Sequence, residues 1–214
     1  MNELSVRIVS GVIMIGVALA AALQGGDFFA LLVAAAATAM FWEWWILTRA
    51  WGLRWTVGGF VYALLPAIAL LWIRERFPDA VNANANLLLW VFIVTWATDI
   101  GAYAVGRAIG RNKLAPSISP GKTVEGLFGG IVAAGLCGAA WSVYAGLPEL
   151  LLILAPLFAV AAQVGDLFES WIKRRAGVKD SGHWLPGHGG LLDRLDGLVP
   201  VAVLTALVQL SGLV

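Results

Sequence analysis

Apolar residues in this chain run in long unbroken stretches and do not alternate with polar ones. Crossing about 30 Å of hydrocarbon takes about 17 to 25 residues of helix. Seven stretches approach or reach that length: residues 8–23, 28–48, 55–73, 87–105, 124–145, 150–171 and 197–214. A helix satisfies its own backbone groups in lipid, and the lack of a period-two pattern argues against barrel strands, so each stretch predicts a helix. The expected fold is all-α: a polytopic membrane bundle of about seven transmembrane helices, with the N-terminus cytoplasmic. It forms one integral membrane domain over residues 1–214, interrupted by polar loops at 106–123 and 172–196. The first stretch, preceded by Arg7, also has the look of a secretory signal peptide. No polar domain follows it, so it is read as a retained span.

Composition agrees with this reading, since 60% hydrophobic and 13% charged residues lie outside the range of soluble domains. The net charge of +1 hides a strong asymmetry. With a cytoplasmic N-terminus, the inner side holds Arg7, Arg49, Arg54, Arg107, Arg111, Lys113, Lys122, Lys173, Arg174, Arg175, Lys179 and Arg194, leaving only Arg74 and Arg76 outside. That is the positive-inside pattern, and it accounts for the basic loops without nucleic acid. The expected location is a bacterial inner (plasma) membrane, with the active site facing the cytoplasm. Trp42, Trp44, Trp45, Trp51 and Trp55 cluster at one inner loop, where an aromatic belt is expected. The single cysteine, Cys137, gives no disulfide framework.

Charge beside lipid is costly, which directs attention to residues 170–197 and the helix before them. Asp166, Glu169 and Lys173 are spaced to share one helical face, and Ser170 joins it four residues after Asp166. Asp99 and Glu125 add carboxylates at a similar level, whereas Glu43 reads equally well as an interfacial residue among tryptophans. Asp193 and Asp196 flank Arg194 opposite Asp166, a set of hard oxygens suited to Mg2+. Gly189 and Gly190 let the backbone approach a bulky polar ligand. His183 and His188 lack cysteine partners, so a zinc site is disfavoured. Gly121, Lys122 and Thr123 resemble a P-loop tail, but Pro116 stands where its glycine belongs. What remains there is Ser117, Ser119, Lys122 and Thr123 as phosphate donors at a helix start.

At these positions the sequence resembles the phosphatidate cytidylyltransferases. Ser170, Lys173, Arg174, Lys179, Asp180, Pro186, His188, Gly189, Gly190, Asp193, Arg194 and Asp196 occupy the fixed positions of that family's signature. Asp99, Gly101, Tyr103, Gly106, Arg107, Ser119, Pro120, Lys122, Thr123 and Glu125 look like its second motif, while Gly197 stands where many members have serine. The resemblance implies transfer of a cytidylyl group from CTP to phosphatidic acid, with Mg2+ required and a homodimer as one assembly. It implies Asp166, Asp193 and Asp196 as metal ligands. Lys122, Lys173, Asp193, Arg194 and Asp196 are then catalytic, with Lys122, Lys173 and Arg194 facing phosphate charge. Arg107, Ser119, Thr123, Ser170, Arg174, Lys179, Asp180, His188, Gly189 and Gly190 would bind substrate. Two other readings are a cytidylyltransferase or kinase for another membrane lipid, and an ion-coupled transporter. The one-sided placement of charge and the lack of repeats count against transport.

Overall fold

The computed structural model describes residues 3–76, 81–182, 184–185 and 189–214. Among them, six helices are long and apolar enough to cross a membrane, and the chain is an integral membrane protein. They are α1 (Glu3–Gln24), α2 (Gly26–Thr48), α3 (Leu53–Glu75), α4 (Val81–Ile109), α5 (Val124–Ala145) and α6 (Leu150–Arg175). At 29 residues α4 is the longest. It rises about 43 Å, well beyond the hydrocarbon thickness. The helix therefore continues past the apolar stretch and carries Arg107 on its last turn.

The seventh predicted stretch is built differently. Leu192–Leu195 forms a single turn, α7, and α8 covers only Leu198–Leu210. Thirteen residues rise about 20 Å, short of a full crossing. Asp193, Arg194 and Asp196 hold the preceding turn at the polar level, and Gly212, with φ of 75°, marks the turn that follows α8. α8 packs against α3 and α6 and buries Val201, Ala202 and Ala206.

The core forms around α4, where Leu88, Trp90, Val91 and Val94 are fully buried beside Leu151, Ala155 and Ala159 of α6. Between α4 and α5 there is little side chain at all. The buried face of α5 is Gly126, Gly130, Ala134, Gly138 and Ser142, one small residue per turn. A Cβ on Gly130 would lie 2.8 Å from the Thr98 carbonyl oxygen, so the two backbones are in contact. Small residues at this spacing are the usual means of close helix packing in lipid, where the hydrophobic effect does not draw helices together.

Inside the stretch predicted as the 106–123 loop lies a hairpin, β1 (Lys113–Ala115) against β2 (Ser119–Thr123), antiparallel. Glu125 closes its base by accepting from the backbone N–H groups of Arg111 (3.1 Å) and Asn112 (3.2 Å) and from the Asn112 side-chain amide (2.8 Å). Thr123 caps α5, its hydroxyl accepting the Gly126 N–H at 3.0 Å.

Arg74, one of the two basic residues expected on the outer side, is 2% exposed. Its Nε donates to the Ala22 carbonyl (2.7 Å) and its Nη2 to the Leu23 carbonyl (3.0 Å). It thus satisfies orphan carbonyls at the end of α1, where a cation also complements the helix dipole. Its charge serves the fold and not the orientation rule.

Candidate active site

The helical spacing read from α6 places its polar side chains as expected. Ser170 Oγ donates to Asp166 Oδ1 (3.3 Å), and Lys173 Nζ meets Glu169 Oε2 (2.9 Å) one turn further on. Lys173 also reaches out of the helix to Asp193 Oδ1 at 2.5 Å, which ties α6 to α7. The other Asp193 oxygen accepts from the backbone N–H groups of Ser181 (2.9 Å) and Gly190 (2.9 Å). Burial alone would push this carboxyl up, but the Lys173 ammonium and the two N–H groups outweigh it and hold Asp193 below the usual carboxylate range.

A second carboxylate grips the same loop from far away in the sequence. Glu43 of α2 is fully buried and accepts from the backbone N–H groups of Leu191 (2.9 Å) and Leu192 (2.8 Å) and from Ser181 Oγ (2.9 Å). Gly190 lies so close to Ser181 and Glu43 that a Cβ there would overlap both. This packing, more than ligand approach, explains why glycine stands at that position.

Across the bundle, β2 delivers Lys122 to the signature helix: its Nζ lies 2.5 Å from Asp166 Oδ2 and donates to Gln163 Oε1 at 2.8 Å. Asp166, Glu169 and Asp196 each place a carboxylate oxygen within 4.8 Å of the others. Asp193, expected from the sequence as a third ligand beside Asp166 and Asp196, is not in this cluster, because both its oxygens are taken by Lys173 and the loop N–H groups. Glu169 Oε1 is buried without a hydrogen-bond partner among the described residues. Such a cluster of hard oxygens fits a divalent cation such as Mg2+. Burial first, then the neighbouring Asp166 carboxylate, pushes the Asp196 carboxyl up to about 7.

These groups face a cavity of about 970 Å³. Of the residues singled out from the sequence, Arg107, Ser119, Lys122, Thr123, Asp166, Asp193, Arg194 and Asp196 line it, together with Asp99. Ser170 and Lys173 stand directly behind, bonded to Asp166 and Asp193. Arg174 on the last turn of α6 and Lys179 and Asp180 beyond it are exposed and do not line the cavity. Arg174 instead ties the hairpin to the loop, donating to the carbonyls of Ile118 (3.1 Å) and Val178 (3.0 Å). Gly189, with φ of 81°, turns the loop back on itself so that its carbonyl accepts the Leu185 N–H at 3.1 Å. His183 and His188 lie outside the described residues. Gln163 was not anticipated, although its place one turn before Asp166 on α6 was a readable signal.

The sequence pattern of the cytidylyltransferase family matches residues 52–211. A phosphatidate cytidylyltransferase of Brucella suis biovar 1 (strain 1330) is 43% identical over 163 residues, 74% of this chain and 59% of that protein. One from Bacillus subtilis (strain 168) is 50% identical over 144 residues, covering 64% and 54% of the two chains. One from Pseudomonas aeruginosa (strain PAO1) is 40% identical over 168 residues, covering 76% and 60%. The matched region thus spans a little over half the length of these curated relatives.

Proposed function

Because this chain belongs to the cytidylyltransferase family, we propose that it moves a cytidylyl group from CTP to phosphatidic acid, giving CDP-diacylglycerol and pyrophosphate. The observation that carries this reading is the meeting of Lys122, from the hairpin, with Asp166 and Asp196 in one cavity at the end of the bundle. A phosphate oxygen of the lipid forms the new bond to the α-phosphorus of CTP. The bond from that phosphorus to the bridging oxygen breaks, and pyrophosphate leaves with the electron pair. The attacking oxygen is already ionised, so no strong general base is needed. What the reaction needs is alignment and the spreading of phosphate charge.

Asp166 and Asp196 would hold Mg2+, which when bound neutralises triphosphate charge. Lys122 and Arg194 line the same space and receive the remaining negative charge. Lys173 fixes Asp193, and through it the turn that carries Arg194 and Asp196. Arg107 and Ser119 also line the cavity and would meet a headgroup. The lipid arrives sideways from the cytoplasmic leaflet of a bacterial inner membrane, in keeping with the basic residues gathered at this level.

Purified protein should release pyrophosphate from CTP only when phosphatidic acid and Mg2+ are both supplied. Equal release without the lipid would overturn the assignment of acceptor. Turnover of an isoprenoid alcohol in its place would move the chain to the kinase reading.

A further inference from the structure

A second cavity, of about 140 Å³, continues from the first into the bundle between α2, α3, α4 and α8. The two share wall residues, among them Ala18, Leu32, Ala36, Trp96 and Arg194, so they form one space with a polar end and an apolar end. Beyond the junction the wall is apolar, and alanines on facing helices, Ala37 of α2 with Ala63 and Ala67 of α3, leave it open. Thr95 is the polar exception on this wall, and its hydroxyl already donates to the Val91 carbonyl at 2.9 Å. Ordered water needs two to four polar partners, which this wall does not offer, and a nucleobase would lose its hydrogen bonds there. The volume is close to that of cavities of about 150 Å³ that take up benzene, enough for the last few carbons of one chain and too little for two.

We propose that this inner cavity binds the distal end of one acyl chain of the lipid acceptor, while the phosphate of the same molecule lies at Lys122 and Arg194. Only an amphiphile satisfies both ends of the space. The inference rests on the lipid-phosphate reading above and adds that the protein measures chain length. Ala37 and Ala63, outside the polar site, set how far the chain can reach.

The test compares dioleoyl with dihexanoyl phosphatidic acid in wild type, Ala63→Leu and Ala37→Leu, reading both turnover and the shift in Tm that each lipid produces. Filling the cavity should lower kcat/KM for the dioleoyl lipid about tenfold relative to the dihexanoyl one. The extra Tm rise that the longer lipid gives the wild type should also disappear. An unchanged ratio and unchanged shifts in both variants would overturn the proposal and leave the space a packing void, which leucine fills with a gain in Tm alone. If the wild type turns over neither lipid, the acceptor reading fails, and the Tm shifts still decide whether the cavity holds an acyl chain. Two variants guard against one that misfolds.

Discussion

Among the carboxylates of the site, Asp193 and Asp196 differ by three positions and by almost everything else. Asp193 is satisfied by an ammonium and N–H donors, whereas Asp196 is half-buried beside the like charge of Asp166. Asp193→Asn should therefore lower Tm, since Lys173 loses one of its two carboxylates and keeps only Glu169. Breaking a buried pair of this kind costs about 3–5 kcal/mol, and the cost here is lower for a pair partly open to solvent. Asp196→Asn should keep or raise the Tm of the metal-free protein while abolishing Mg2+-dependent turnover. The sign follows from linkage. With its pKa raised from 3.8 to about 7, Asp196 contributes stability that is fully present below 3.8 and lost as pH rises through about 7. The Tm advantage of the asparagine variant over wild type should grow across that window. Apparent Mg2+ affinity of the wild type, followed by calorimetry, should rise over the same interval, because the proton and the cation compete for one carboxylate. Glu43→Gln would turn an amide nitrogen toward one of its N–H or hydroxyl donors. An unsatisfied buried group costs about 1–3 kcal/mol, so a drop in Tm and a loss of kcat through the displaced α7 are expected.

At the scale of elements, the seam between α4 and α5 leaves no room for side chains. Gly130→Leu should prevent the two helices from closing and reduce folded protein recovered in mild detergent, whereas Gly16→Leu, with open space around it, should be tolerated. Most of the helices were legible in the sequence because lipid permits so few alternatives to an apolar helix of sufficient length. The hairpin was not: Ser119–Thr123 reads SPGKT, with a proline and a glycine that argue against a strand, and the base is held by Glu125 from the next helix. The site was legible where chemistry follows local spacing, as with Asp166, Ser170 and Lys173 on one face of α6. Arg174, Lys179 and Asp180 share the same motif but are exposed and do not line the cavity. Glu43 could not be placed, since nothing local in WEWW says that its carboxylate meets the backbone of Leu191 and Leu192, far along the chain.

For the whole molecule, the basic residues predict one orientation. In a Cys137→Ser background, Lys179→Cys should react with a membrane-impermeant maleimide only when the cytoplasmic face is open. Glu149→Cys, in the turn between α5 and α6, should react only from the other side. Reversal of both would invert the topology and place the cavity outside.

One wall of that cavity is α1, which contributes Gly11, Met14 and Ala18 while Ile8 and Val12 on the same helix stay exposed. It is clasped at its far end by Arg74. A site walled by a helix bathed in hydrocarbon samples its lipid in two dimensions. Its rate should follow the mole fraction of phosphatidic acid in the surrounding bilayer or micelle and fall on dilution with inert amphiphile, even when the amount of substrate per volume is held constant.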